Sequence, residues 1–490
     1  MSLEALTDFL YRPYPRAAWH SEAADVLGSL WAAGGRFRQS ADKIVTVRSP
    51  RIEDGVAFAA IIHPDNPTSG AYRGMSFVLF PSPTAPALVG LLVGTDGTGP
   101  DAPILGKPGH ARKCQALAQW LNQTHRADVA WAKVDPTRCE EPLPRTVREN
   151  RSYEPYLPAL DRYGAVMYLL FAPTPDRDRT REGLEAIIDL MFGERGVSPL
   201  ASFLSSSAAR QRAWLACLLP PMERDEIASA LDTHRYVILQ GPPGTGKTRA
   251  LYNLAHSRFR GSSSIVQFHA NTTYESFVGG LAPTPSAGTV GLSFAPRGGA
   301  LLQAISAARA NPSAEYLLGI DEINRADLAK ALGEAIVLLE PRRDHSREVR
   351  LEHDYSEIGS SLVSMPENLY ILGTMNTADR SIAIVDVAVR RRFAFLDMWP
   401  QLDLVTDEVT PLAPEAFQRL LSIFIEHATD DAFSLIPGHS YFMATSEREF
   451  GNTLRYSLIP LLREYLAQGY VAGFAAEVRA YIQWLEYQWQ

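Results

Sequence analysis

Gly241-Pro-Pro-Gly-Thr-Gly-Lys-Thr248 stands between a short apolar run, Tyr236–Gln240 (YVILQ), and the helical-looking stretch TRALYNLAHSRF. The octet fits G-x-x-x-x-G-K-[ST] in the order strand, loop, helix that the pattern requires. Glycines let backbone N–H groups turn inward around phosphate oxygens, and the N-terminus of the following helix adds the positive end of its dipole. Gly241, Pro242, Pro243, Gly244, Thr245, Gly246, Lys247 and Thr248 are therefore the expected nucleotide-binding residues. Lys247 is expected to reach the β- and γ-phosphates, and Thr248 to ligate Mg²⁺.

About 70 residues downstream, Tyr316-Leu-Leu-Gly-Ile-Asp-Glu-Ile-Asn-Arg325 reads as an apolar strand that ends in two acids. An acid at the C-terminal tip of a parallel strand faces the crevice where ligands bind. Asp321 is expected to hold Mg²⁺, directly or through water, and Glu322 to polarise an attacking water. Hydrolysis needs both jobs, since the cation screens phosphate charge while a separate group orients the nucleophile.

A third strand runs into a polar tip at Leu369-Tyr-Ile-Leu-Gly-Thr-Met-Asn-Thr-Ala-Asp-Arg-Ser381. Asn376 is placed to touch a γ-phosphate or the water, with Asp379 and Arg380 one turn later. The apolar stretch Val385–Phe393, predicted helical, ends in Arg390, Arg391 and Arg392. Neighbouring helical residues point about 100° apart, so the three arginines cannot share one role. At least one is expected to reach a neighbouring subunit as an arginine finger. Arg380, Arg390 and Arg391 join Glu322, Asn376 and Asp379 as the candidate catalytic residues.

GPPGTGKT, DEINRA and MNTADRSIAIVDVAVRRRFAF, in this order, resemble the AAA+ family. Within it they are similar to the GTP-hydrolysing subunit of methylcytosine-dependent (McrBC) restriction systems. VQFHANTTYESFVGG (Val266–Gly280), GHSYF (Gly438–Phe442) and LRYSLIPLLREYL (Leu454–Leu466) are similar to that family too, so the resemblance spans about residues 205 to 470. It implies a ring, usually a hexamer, with nucleotide held between subunits. It also implies a partner nuclease subunit, McrC-like, and a role in cutting foreign or modified DNA. The first 200 residues do not match the DNA-reading domain associated with the family. The base stays open: the subfamily favours GTP, the wider fold ATP, and the NTAD of Asn376–Asp379 follows a strand at the phosphate end, where it says little about the base.

Around this module the chain divides into three regions. Residues 1–195 read as a separate mixed α/β targeting domain of unknown ligand, with strands near Val56–His63, Ser76–Pro81 and Leu88–Val93 and a helix over Ala111–Thr124. Thr174–Arg181 (TPDRDRTR) reads as a loop. Residues 196–400 alternate strands and helices, which predicts an α/β fold with a parallel sheet covered by helices on both faces. Residues 401–490 read as a C-terminal helical lid. Its stripes, Phe417, Leu420, Leu421, Phe424 and Leu458, Leu461, Leu462, Tyr465, are expected in the core.

Composition bounds the rest. The 490 residues are 46% hydrophobic and 21% charged, which excludes a mainly disordered chain. A net charge of −8 excludes a protein coated in basic residues for DNA, though not a local basic groove. Residues 1–200 hold 22 Lys and Arg against 23 Asp and Glu, so they carry no broad electrostatic footprint for DNA. Two local clusters are candidates for contact with phosphate or a flipped base: Arg36, Arg38, Lys43, Arg48 and Arg51 around Phe37, and Lys107, His110, Arg112 and Lys113. Cys114, Cys139 and Cys217 have no metal spacing. No apolar run reaches 18 residues, and the first residues lack a signal-peptide pattern, so a cytoplasmic protein without a membrane span is expected.

Three functions fit the motifs. The first is the motor of a McrBC-like complex, with DNA reached through the N-terminal region or the ring pore. The second is a MoxR-like AAA+ chaperone that remodels a protein complex. The third is a nucleotide-gated sensor. DNA retention at low salt separates the first from the second, and turnover with and without candidate ligands separates the third.

Overall fold

The computed structural model describes residues 2–50, 55–285, 292–340, 347–379 and 386–488. The chain forms two compact units, residues 1–219 with 422–429, and residues 220–421 with 430–490.

The first unit is built on an antiparallel six-stranded sheet. Its strands are β1 (Thr46–Arg48), β2 (Ala59–Ile62), β3 (Met75–Phe80), β4 (Leu88–Val93), β5 (Ala130–Ala132) and β6 (Met167–Phe171), in the spatial order β1-β2-β3-β4-β6-β5. Strands β2, β3, β4 and β6 are buried along their whole length, because alternate residues enter two cores. Ile61, Phe77 and Leu91 pack with Leu117 and Ile187, while Ile62, Val78 and Leu92 pack with Tyr153 and Leu160.

The polar stretch Thr174–Arg181, expected as a loop, instead opens the helix Arg177–Glu194. Asp176 caps it, its Oδ1 accepting the N–H of Arg179 at 3.1 Å. A helix start is polar where a side chain must satisfy its orphan amides, and hydropathy alone reads that as a turn.

Part of each basic cluster of this unit is used internally, while Arg38, Lys43 and Lys107 are exposed. Arg36 is buried and donates twice to Asp189, at 2.6 Å each, and Phe37 stacks on Phe192 at 3.9 Å. His110, Arg112 and Lys113 are buried as well. These residues are therefore not a solvent-facing phosphate contact. Arg51 lies outside the described residues.

The second unit carries β7 (Tyr236–Gly241), β8 (Ser263–Gln267), the hairpin β9 (Gly279–Pro285) and β10 (Leu292–Gly298), β11 (Tyr316–Asp321), the hairpin β12 (Glu348–Tyr355) and β13 (Ser360–Ser364), β14 (Leu369–Asn376) and β15 (Ala394–Asp397). Five of these form one wholly parallel sheet in the order β15-β7-β14-β11-β8. Its strands read as unbroken apolar runs because helices cover both faces. Val237, Leu239, Leu317 and Leu372 pack on one side with Leu251 and Leu254 of the helix Lys247–Ser257. Ile238, Leu318, Ile320 and Ile371 pack on the other with Leu301 and Ile305 of the helix Ala300–Ala310.

Strand β7 is flanked by the last two strands of the sheet in sequence, β14 and β15. The tips of β7, β14 and β11 are thus adjacent although more than 70 residues separate β7 from β11. After β11 the chain forms a short helix, Leu328–Leu332, followed by 3₁₀ turns to Leu339, although the residue types alone favour one long helix. The break falls at Gly333, whose φ of +52° ends a right-handed helix.

The C-terminal helices include Glu447–Thr453, Ile459–Ala467 and Ala475–Gln488. Of the two predicted stripes, Phe417, Leu420, Leu421 and Phe424, and Leu458, Leu462 and Tyr465, are buried; Leu461 is half-buried. Residues 430–490 fold into the same compact unit as the parallel sheet. Among the described residues no helix is long and apolar enough to cross a membrane.

Candidate active site

Strand β7 delivers the loop Gly241–Gly246 to the start of the helix Lys247–Ser257. Gly244 and Gly246 have φ of +81° and +85°, a region that a Cβ disfavours, so glycine is what allows the chain to wrap a concave surface there. Lys247 begins the helix and is buried. Its Nζ donates to the Pro242 carbonyl at 2.7 Å and lies 3.4 Å from Thr245 Oγ1. Burial pulls its ammonium down to about 8, and the neighbouring charges of Glu322 and Asp321 partly oppose that shift. A phosphate group in the loop would add counter-charge to that of these two acids.

Thr248 Oγ1 donates to Asp321 Oδ1 at 2.9 Å. The link joins the first turn of the helix to the tip of β11 two strands away. A hydroxyl and a carboxylate are oxygen donors, the type that suits a small hard cation completed by phosphate oxygens and water. Among the described residues no group of three or more His, Cys, Asp or Glu could hold a metal by itself.

Asp321 is the last residue of β11 and Glu322 the first beyond it. Glu322 has φ +55° and ψ +47°, left-handed backbone rare for a residue with a Cβ. The conformation turns its side chain out of the strand direction. Glu322 Oε2 is buried without a hydrogen-bond partner, and Arg325 Nε lies 3.3 Å from it. A second nitrogen of Arg325 is 3.8 Å from Asp379 Oδ2. An outlier backbone and a buried carboxylate oxygen with an ion-pair contact but no hydrogen bond set this strand tip apart.

Asn376 closes β14. Its carbonyl accepts from Asn324 Nδ2 at 3.2 Å, and its side-chain oxygen accepts the Ala378 N–H at 3.1 Å. The tips of β7, β14 and β11 thus bring together the phosphate loop, Asn376, Asp321 and Glu322, with Asp379 tied to Glu322 through Arg325. Arg380 lies outside the described residues. The arginines at 390–392 divide by environment. Arg392 is buried and donates to Glu340 Oε1 at 2.6 Å, so it is committed to the core of its own chain. Arg391 reaches the same carboxylate at 3.0 Å but stays 62% exposed, and Arg390 is exposed with its guanidinium 5.2 Å from the Phe395 ring centroid.

Two participants are not apparent from the motifs, and a third is signalled only by GHSYF, whose His439 is expected near the nucleotide or a subunit interface. Thr374 lies two residues before Asn376, on the same face of β14, and bonds to both Asp321 and Glu322. Arg325 sits within DEINR but has no assigned part in the sequence pattern. The segment Gly438–Tyr441 returns from the C-terminal helices onto the loop: the Gly438 N–H donates to the Pro243 carbonyl at 2.8 Å and the Ser440 N–H to Gly244 at 3.1 Å. His439 is buried there with its Nδ1 accepting the Gln401 N–H at 3.2 Å, which leaves its proton on Nε2, the nitrogen nearest Gly246. Burial, and then the charge of Arg249, keep this imidazole below its ordinary pKa. The only sequence signal for the contact is the recurrence of GHSYF in the resembled family.

Residues 236–393 match the family model of the AAA domain, dynein-related subfamily. The chain is 34% identical over 270 residues to the Type IV methyl-directed restriction enzyme EcoKMcrB subunit of Escherichia coli (strain K12), an alignment covering 50% of this chain and 57% of that protein. It is 26% identical over 197 residues to the Type II restriction enzyme BsuMI component YdiS of Bacillus subtilis (strain 168), covering 32% and 55%. The chain therefore spans somewhat over half the length of the curated relatives it matches. The resemblance read from the motifs agrees with these matches: the second unit carries an AAA domain and is similar to the McrB subunit.

Proposed function

We propose that this chain is the nucleoside-triphosphate-hydrolysing motor subunit of a restriction complex that acts on DNA. The observation that carries the reading is the meeting of Lys247, Thr248, Asp321, Glu322 and Asn376 at the tips of three adjacent parallel strands. In it the loop amides and Lys247 bind the β- and γ-phosphates of GTP or ATP. Thr248 and Asp321 would hold Mg²⁺, which would screen phosphate charge. The Glu322 carboxylate accepts a proton from the attacking water, and the Asn376 amide orients that water or the γ-phosphate. The relatives support placement in a restriction system, since both are restriction-enzyme components.

One site is incomplete within a single subunit, because no arginine among the described residues bonds to the loop. Arg390 and Arg391 are exposed, and we assign one of them to the nucleotide of a neighbouring copy. A ring, hexameric by the family resemblance, follows from that assignment. A McrC-like nuclease partner in the cytoplasm would do the cutting, driven by DNA translocation or remodelling.

The test is turnover of GTP and ATP measured against protein concentration, with and without DNA. Specific activity that rises with concentration, and rises again with DNA, is expected. Activity independent of concentration in a strict monomer overturns the ring. Absence of DNA retention at low salt overturns the DNA motor and leaves a protein-remodelling one.

A further inference from the structure

We propose that Thr374 is a positioning residue of the hydrolytic site, its single hydroxyl fixing Asp321 and Glu322 relative to one another. The proposal rests on the reading of that site as a nucleotide hydrolase. Thr374 sits on β14 beside the tip of β11, where Ile320 pairs with Gly373 in register. It is 2% exposed, so water does not compete for its hydrogen bonds. Its Oγ1 donates to Asp321 Oδ1 at 2.6 Å and accepts the backbone N–H of Glu322 at 3.0 Å.

The two bonds determine each other. The Glu322 amide can only donate, so it takes a lone pair of the hydroxyl. The hydroxyl proton is then directed at Asp321 Oδ1, which accepts it. Two consecutive residues with different jobs are thereby tied to one atom on the neighbouring strand.

Glu322 needs this anchor more than an ordinary strand-end residue does. Its left-handed backbone is one that surrounding structure has to enforce. Glycine would adopt it freely but carries no carboxylate. The enforcement comes from the Thr374 bond to its N–H and from its own carbonyl, which accepts the Arg325 N–H at 2.9 Å.

Asp321 Oδ1 also accepts from Thr248 at 2.9 Å. Thr248 is the hydroxyl that a cation would claim. Thr374 is then the donor that keeps the carboxylate oriented. A second hydroxyl on this oxygen separates holding the acid from binding the ion, as outer partners of metal-binding carboxylates commonly do.

The experiment compares Thr374→Val, which keeps the branched shape and removes the hydroxyl, with Thr374→Ser, which restores it. Fluorescent nucleotide binding is measured with and without Mg²⁺, together with kcat, KM and the thermal midpoint. In T374V the Mg²⁺-dependent gain in nucleotide affinity and kcat are each expected to fall about 10- to 100-fold, with affinity in EDTA unchanged. T374S is expected to recover both. If T374V does not fold, Thr374→Ala against T374S gives the same contrast.

A hydroxyl-free variant that keeps the Mg²⁺ response and kcat of the parent overturns the proposal, as does equal loss of both in T374S. A parent protein that hydrolyses neither GTP nor ATP gives a different pattern, inactivity in every sample. That result overturns the hydrolase reading and the role of Thr374 with it.

Discussion

The Gly438 N–H donates to the Pro243 carbonyl at 2.8 Å, so the C-terminal helical segment is hydrogen-bonded to the phosphate loop itself. The approach is close enough to exclude any side chain: a Cβ on Gly438 would lie 2.1 Å from the Gly244 carbonyl carbon. The obstacle is backbone, which cannot rotate aside. Gly438→Ala is therefore expected to cost about 1–3 kcal/mol, the usual range for overpacking, and to weaken nucleotide binding by moving Gly244. Thermal unfolding with and without nucleotide reads both effects. An unchanged midpoint and an unchanged nucleotide-induced rise would show that the segment does not constrain the loop.

Glu322→Gln keeps the size of the side chain and removes its ability to take a proton. Turnover is expected to fall by about 10²- to 10⁴-fold while nucleotide affinity stays near that of the parent. Single-turnover kinetics beside equilibrium binding separates the two quantities. Near-normal hydrolysis in E322Q would remove this carboxylate from the chemistry.

Lys247 gives the site a pH signature. Its folded pKa is about 8, below the ordinary value of 10.5. Between those limits the unfolded chain binds more protons than the folded one, so Lys247 makes the nucleotide-free protein more stable as pH rises through this window. Below the folded value the ammonium is charged in both states, and the cost of burying it is present in full. Phosphates reverse the preference, since they favour the charged form. Nucleotide affinity is therefore expected to weaken above about pH 8, by at most about tenfold per pH unit, with proton uptake on binding. Titration calorimetry in two buffers of different ionisation enthalpy measures that uptake. Zero uptake at about pH 8.5 contradicts the assignment of Lys247 to the phosphates.

The three consecutive arginines are expected to fail in different ways. Arg392 is 5% exposed in its side chain and bonded to Glu340, so Arg392→Ala leaves a half-buried carboxylate poorly paired and costs about 2–4 kcal/mol. Arg390→Ala and Arg391→Ala remove exposed groups and should change stability by less than about 1 kcal/mol. One of the two is expected to abolish turnover in the assembled protein. Mixing that variant with Lys247→Ala should restore activity, since each subunit supplies what its neighbour lacks. Full activity in both single variants would rule out a finger from this segment.

Much of this protein follows from local pattern. The loop Gly241–Thr248, the apolar strands ending at Asp321 and Asn376, and the expectation of a parallel sheet need only residue type, spacing and periodicity. Those features are set by neighbours in sequence, through backbone sterics and the requirement that buried amides be paired.

What the tertiary structure decided is which distant groups meet. The strand order β15-β7-β14-β11-β8 places Thr374 against Asp321 and Glu322, and chain folding brings Gly438 onto Pro243. It also turned Arg36 of one candidate basic cluster inward, by pairing it with Asp189 across 153 residues. Separate fates for Arg390 and Arg392 depend on where Glu340 lies, and no helical period specifies that. The physical reason is common to all four. A hydrogen bond or an ion pair is decided by a few ångströms between atoms far apart along the chain, and sheet order and packing, rather than any local preference, fix those distances.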